Sequence, residues 1–329
     1  MELNRKKILV TGGAGFIGSH VSEGLLKLGA KVTVLDNFDD FYQGKERNLS
    51  GLLGNDRFTL VRGSILDFAL LQSLIKGSDA VVHLAAQAGI RYCNEKPLKA
   101  NEVNATGTLN VLVACRGEKV NKIVYASSSS IFGDPVKVPM DEGHPTNPNN
   151  PYGASKLAGE KYCTSYATAF GMDITCLRYF SVYGPRGRPD QVLYSFADKA
   201  ARGEQPVIYG DGTYSRDFTF VSDVASATIL SLYRDSEGGR VLNIGYGKDH
   251  KIGDVARKIT AHYRLEAGPR FVEQYQGDFP RTLCDNNLAK RFLGWRPAVE
   301  FDEGLRLFLE WFDATHLPLL SGEARPGIG

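Results

Sequence analysis

The stretch 8-ILVTGGAGFIGSH-20 constrains the fold of this chain more than any other. An apolar run leads into Gly12, Gly15 and Gly18, and apolar residues at helical spacing follow, the pattern of a strand, a tight turn and a helix. Glycines so spaced let the backbone approach a pyrophosphate, whose charge is favoured by the free N–H groups and dipole of a helix N-terminus. The next apolar run, KVTVLD, ends at Asp36. A carboxylate there accepts hydrogen bonds from the adenosine ribose hydroxyls and repels a 2′-phosphate, which favours NAD over NADP. The plainer alternative, that Asp36 only ends a strand or caps a turn, is outweighed by the complete strand, glycine, helix, strand and acid context.

Further on, short apolar runs keep alternating with helical stretches: RFTLVRG, DAVVHLAA, NKIVYASSS, 173-DITCLRYF-180 and 241-VLNIG-245. This alternation predicts an α/β protein with a Rossmann-type doubly wound parallel sheet and helices on both faces. Segments rich in glycine, proline and aromatics, such as YGPRGRPD and IYGDGTYSRDF, predict a smaller interleaved α/β substrate domain. The expected division gives 1–180 and about 224–250 to the cofactor domain, 181–223 and 251–316 to the second, and 317–329 to a mobile tail.

At 329 residues the chain can bury a large core across two lobes. A formal net charge of +2 without dense charged blocks argues against nucleic acid or a membrane surface as partner. The five cysteines (Cys93, Cys115, Cys163, Cys176, Cys284) are scattered and the histidines lack ligand spacing, so no metal site or disulfide framework is expected and a cytoplasmic setting fits. The start, MELNRKKILV, carries no signal-type apolar region, and no run approaches the ~18 apolar residues of a membrane span. His83, Trp295 and Trp311 read as packing residues.

In 150-NPYGASKLAGEKY-162, Tyr152 and Lys156 stand four residues apart at the expected start of a helix. That spacing alone is weak, because such pairs abound on exposed helix faces. Together with TGGAGFIGSH, HLAAQAG, 104-NATGTLN-110, ASSSSIFG, 216-RDFTFVSDV-224, GDFP and LGWRP, however, it makes nearly the whole chain resemble the extended short-chain dehydrogenase/reductase family, specifically its nucleotide-sugar 4-epimerases. The resemblance implies that Tyr152 is the general base, its phenol brought toward working pH by Lys156 and the positive nicotinamide ring. It implies that Ser128 bonds the reacting hydroxyl, with Ser127, Ser129 and Ser130 as rivals because a serine run has no unique register. The implied NAD site comprises Gly12, Gly15, Phe16, Ile17, Gly18, Asp36, Asn37, Asp67 at the adenine, Leu84, Ala85, Ala86, Asn104, Ser127, Tyr152, Lys156, Tyr179 and Val182. Asn104 could equally be a structural cap. The implied reaction is a closed cycle, in which the C4 hydrogen passes to NAD, the 4-ketose turns its other face, and the same hydrogen returns.

For the sugar, the implied substrate residues are Gln87, Ser128, Tyr152, Ser181, Arg188, Val207, Tyr209, Arg216 at the diphosphate and Asp278 at the uridine ribose. Glucose-type enzymes carry an asparagine where this chain has Ser181, while DNFDDFY, AQAGIRY and GPRGRPD look like UDP-glucuronate 4-epimerases. Arg188, a planar fork suited to a carboxylate, with Ser181 as second donor, is the expected clamp on the sugar acid. Alternatively Arg186 or Arg188 sits on an exposed loop or meets the diphosphate, and Arg216 pairs with Asp217. Where some relatives have a second diphosphate arginine, this chain has Tyr275, with Arg281 nearby. Competing readings are a UDP-glucose or UDP-N-acetylglucosamine 4-epimerase, a UDP-glucuronate decarboxylase, and a non-catalytic NAD-binding sensor. A 4,6-dehydratase is disfavoured because Ser129 and Ser130 stand where those enzymes have Asp-Glu. The family also implies a homodimer through helices around 98–116 and 153–170.

Overall fold

The computed structural model describes residues 2–236, 238–274 and 279–320. Strands β1 (Lys7–Thr11), β2 (Lys31–Asp36), β3 (Phe58–Arg62), β4 (Ala80–His83), β5 (Lys122–Ser128), β6 (Asp173–Tyr179) and β10 (Arg240–Ile244) form a parallel sheet in the order β10-β6-β5-β4-β1-β2-β3. The order reverses between β1 and β4, so the carboxyl ends of those strands open the crevice in which such sheets take ligands.

Alternation along each strand loads both faces. Ile8, Val10, Val32, Val34 and Val124 join Val21, Leu25, Val224 and Leu232 on one side. Leu9, Leu35, Val81, Ile123 and Tyr125 join Leu71, Val111, Cys163 and Ala167 on the other. A second lobe carries β7 (Ser181–Tyr183), β9 (Ser215–Phe220) and β11 (Asp249–Lys251) in one small sheet, and β8 (Val207–Tyr209) with β12 (Arg270–Val272) in another. Its core is aromatic, with Tyr183, Phe196, Phe218, Phe220, Phe301, Phe308 and Phe312 buried together, and Trp311 packs against it.

Three expected boundaries move. Ala289, Leu293 and Trp295 belong to the first lobe's core, not the second's, because the indole N–H donates to the Asp223 carbonyl at 3.0 Å and folds that segment back. Asp249 and His250 pair with β9 in the second lobe rather than closing the first. Residues 317–320 extend the helix Phe301–Leu320 and are not tail, while 321–329 lie outside the described residues. Among the described residues no helix is long and apolar enough to cross a membrane, and no cluster of metal-ligating side chains forms.

Candidate active site

At the end of β1 the chain turns at Gly12 with φ +72, and a Cβ there would sit 2.6 Å from the Ala85 amide nitrogen. A Cβ on Gly18 would sit 2.2 Å from the Gly12 carbonyl oxygen, so neither position accepts a side chain without shifting backbone. The groove above this turn is lined by Gly12, Gly15, Phe16, Ile17 and Gly18, by Asp36 and Asn37 at the end of β2, and by Leu84, Ala85 and Ala86 after β4. Its far wall is Ser127, Tyr152, Lys156 and Tyr179. The Asp36 carboxylate accepts from the amides of Ala14 at 3.0 Å and Phe38 at 2.9 Å, which ties the acid to the glycine turn. Burial raises its pKa above the ordinary value, and those amides pull it back.

Two of the residues expected at the cofactor do not line the groove. Asp67 is exposed and caps the helix Phe68–Ile75 by accepting from the Leu70 amide at 3.1 Å; Ser64 and Ile65 line the groove instead. Asn104 is buried behind the wall, where its amide group holds the Gln87 backbone at 2.7 and 2.9 Å and the Ser155 hydroxyl at 2.9 Å. Gln87 lines the cofactor groove, not the neighbouring cavity. Val182 in turn belongs to that cavity.

The helix Pro151–Phe170 starts at Asn150, whose side chain accepts from the Gly153 amide at 2.8 Å, with Pro151 pre-set for the first turn. Its first turn presents Tyr152 and its second Lys156. The serine run resolves into separate tasks. Ser127 donates to Glu160 at 2.6 Å, Ser128 faces the Tyr152 phenol, and Ser130 faces the neighbouring cavity. Burial pushes the Tyr152 phenol above its ordinary value, while Arg188 and the Ser128 hydroxyl pull it down. The buried Lys156 ammonium sits 4.4 Å over the Tyr125 ring, and burial lowers its own pKa to about 8. His83 is locked between Thr11 (2.7 Å) and Thr108 (3.0 Å) and held neutral by burial, a packing role.

Beside the groove lies a cavity of about 870 Å³ bordered by Ser181, Val182, Arg188, Val207, Tyr209 and Arg216. Arg188 and Tyr152 border both spaces. The Nε and Nη2 edge of Arg188 is already forked onto Asp190 at 2.8 and 2.9 Å, so only its Nη1 side is left for a ligand. Arg186 is drawn away to Glu23 at 3.0 Å. Arg216 does not pair with Asp217, which points the other way and accepts from the Tyr246 and Gly247 amides at 2.8 Å and the Cys284 amide at 3.0 Å. Arg281 is bound to Asp249 at 2.7 Å. Asp278 and Tyr275 lie outside the described residues.

The sequence reading missed Arg91, Tyr214 and Arg270, all on the cavity wall. Arg91 stacks 4.2 Å from the Tyr209 ring centre and was within reach, because it sits in the AQAGIRY stretch already marked. The three marked stretches meet here: a Cβ on Gly89 would lie 2.7 Å from the Phe41 ring and 3.3 Å from Asp190.

The groove fits NAD on two counts, the cradle that a Cβ would fill and the acid at the end of β2. Comparison with known proteins agrees. Residues 8–245 match the NAD dependent epimerase/dehydratase family. A putative UDP-glucose 4-epimerase of Methanocaldococcus jannaschii is 35% identical over 92% of this chain and 97% of its own. A UDP-glucuronate 4-epimerase of Thermodesulfobacterium geofontis is 36% identical over 92% of this chain and 95% of its own. The crystal structure of UDP-glucuronic acid 4-epimerase from Bacillus cereus, in complex with UDP-glucuronic acid and NAD, superposes with a TM-score of 0.88 at 33% identity, covering 94% of this chain and 100% of that one. The chain belongs to the NAD dependent epimerase/dehydratase family, as an NAD-dependent nucleotide-sugar epimerase.

Proposed function

We propose that this enzyme interconverts UDP-glucuronate and UDP-galacturonate. The observation that carries the reading is the position of Arg188, which borders both the cofactor groove and the sugar-sized cavity, acts electrostatically on Tyr152, and shares a wall with the Ser181 hydroxyl. NAD, when bound, accepts and returns two electrons with the C4 hydrogen of the sugar. Tyr152 takes and returns the proton of the C4 hydroxyl, which Ser128 orients, and Lys156 supplies a buried positive charge beneath them. A ketone at C4 of a uronate is a β-keto acid, which loses carbon dioxide once its carboxylate swings free. The Nη1 side of Arg188 and the Ser181 hydroxyl restrain that carboxylate, while Arg91, Arg216 and Arg270 give the cavity the positive charge a diphosphate needs.

Asp190 favours a second reading. Because it already neutralises one edge of Arg188, a neutral sugar such as that of UDP-glucose would meet no uncompensated cation there. Incubation of the purified protein with UDP-glucuronate and, separately, UDP-glucose, with products identified by proton NMR, decides between them. UDP-galacturonate from the first and little change in the second is expected, whereas UDP-galactose alone would sink the assignment and UDP-xylose would indicate decarboxylation. Arg188→Ala is expected to raise KM for UDP-glucuronate by about tenfold or more, the worth of a charge-assisted pair, and to release a decarboxylated side product. An unchanged KM and product ratio would remove Arg188 from the clamp.

The enzyme pairs as a homodimer through the helices Gly107–Gly117 and Pro151–Phe170. In support, Tyr162, Tyr166 and Phe170 repeat every four residues along one helix face, and Tyr162 and Phe170 are exposed, as are Val113 and Leu98 nearby. Sedimentation velocity should show twice the chain mass, and Tyr162→Glu should yield monomer; a wild-type monomer at micromolar concentration would refute the pairing. All five cysteines are buried free thiols, which suits a reducing cytoplasm.

A further inference from the structure

The loop after Asp36 does more than connect β2 to the next helix. Three side chains fold it tightly: Asp36 accepts from the Phe38 amide at 2.9 Å, Asn37 from the Asp39 amide at 3.1 Å, and Asp39 from the Phe41 amide at 2.9 Å. The fold of the loop is then fixed from outside. Lys99 pairs with Asp39, and the Phe41 ring packs against Tyr92 with centroids 4.8 Å apart. Lys45 reaches back to the Asp39 carbonyl at 2.5 Å and lies 5.0 Å over the Tyr42 ring. This rigid loop sets Asp39, Phe41 and the Tyr42 side chain along the cofactor groove.

The Tyr42 hydroxyl is buried and makes no hydrogen bond. It stands beside the glycine turn, with a Cβ on Gly15 falling 3.8 Å from its oxygen. The Phe16 amide, at the start of the first helix, faces that oxygen without closing a bond of proper length and angle. A phenol there has a proton to donate and no acceptor, and burying it in that state costs free energy that the fold has no reason to bear unless an acceptor arrives. The acceptor must suit a phenol proton delivered at the start of a helix, where free N–H groups and the dipole favour negative charge, and that requirement describes an anionic oxygen. Phe41 and Arg188 border both the groove and the sugar cavity, but Tyr42 borders only the groove. The anion is therefore on the cofactor side.

We infer that Tyr42 is a cofactor-binding residue whose hydroxyl donates to a diphosphate oxygen of NAD, closing the phosphate cradle opposite the glycine turn. The aspartates and Lys99 that fold its loop are then positioning residues for that contact. This inference rests on NAD binding, which the UDP-glucuronate and UDP-glucose readings share, so its failure leaves the choice of sugar untouched.

The test is Tyr42→Phe, which deletes the oxygen and keeps the ring. Dissociation constants for NAD, for ADP-ribose (the diphosphate without the nicotinamide) and for adenosine (neither phosphate) are measured on full-length protein freed of nucleotide. The expected result is binding weakened on the order of tenfold for NAD and ADP-ribose, with adenosine unchanged, as for loss of one hydrogen bond to a charged group. Without nucleotide, the thermal midpoint of the variant should equal or exceed that of the parent, since the deleted hydroxyl had no partner. Unchanged affinity for NAD and ADP-ribose, or an equal loss for adenosine, would overturn the assignment. So would a lower midpoint without nucleotide, or a defect confined to the KM of the UDP-sugar.

Discussion

Tyr152→Phe should lower kcat by about three orders of magnitude, within the range that a positioned acid or base contributes, while the protein still retains NAD and binds the UDP-sugar within about threefold of the parent. The phenol borders both the groove and the sugar cavity, and Arg188 and the Ser128 hydroxyl both act to lower its pKa. Removing only the oxygen spares the packing and deletes the group that carries the C4 hydroxyl proton. The pH profile offers a second readout. Because burial raises the phenol's pKa in the protein alone, the unprotonated base becomes more abundant as pH rises, so kcat of the parent should climb toward the alkaline side. Bound oxidised nicotinamide, being positive, moves that limb to lower pH. Residual activity in the phenylalanine variant should lack the limb. A variant that keeps more than about a tenth of the parent kcat would show that another group moves the proton.

Much of this site was legible because its signals are local. A strand ending in Asp36, a glycine turn and an Asn-Pro helix start are each decided by neighbours within a few residues, and the structure has β2 ending at Asp36 and the helix starting at Pro151. What the sequence left open was the choice among partners, some of them near in sequence and others distant. Nothing local distinguishes Asp67 as a helix cap from Asp67 as an adenine contact, because both need an exposed acid after a strand; the register of the chain leaving β3 turns Ser64 and Ile65 to the groove instead. Asn104 has the polarity of a ligand and spends it on Gln87 and Ser155. The four serines were indistinguishable until Glu160, thirty-three positions from Ser127, claimed that one. Arg188 reads as an open fork until Asp190 is seen filling one edge. The return of Trp295 to the first lobe goes with indole hydrogen bonds to the Asp223 carbonyl and the Ser226 hydroxyl, 72 and 69 positions away, which composition does not reveal.

The pair Glu160 and Arg178 gives the largest expected effect on stability. The carboxylate is one turn beyond Lys156 on the same helix, and side-chain exposure is 1% for Glu160 and 5% for Arg178. Arg178 donates through Nη2 at 2.7 Å and Nε at 3.1 Å, the Ser127 hydroxyl adds a third bond at 2.6 Å, and Nη1 reaches the Glu142 carbonyl at 3.0 Å. So complete a set of partners is what makes a buried ion pair tolerable, since desolvation alone costs each ion several kcal/mol. Arg178→Ala leaves Glu160 buried and unpaired, and should cost about 3–5 kcal/mol, read as a lowered urea midpoint with activity lost below the temperature at which the parent survives. The contrast that identifies the mechanism is the double variant Arg178→Met with Glu160→Leu, which removes both charges and fills the space. It should recover most of the lost stability, because the penalty belongs to the stranded charge rather than to the missing bonds. Its kcat should remain reduced, since Ser127 then loses its acceptor at the end of the strand that also carries Ser128. If Arg178→Ala costs less than about 1 kcal/mol, Glu160 is reached by water or another cation and the network does not hold the strand end. If the double variant is no more stable than the single one, the hydrogen bonds and not the charge carry the energy.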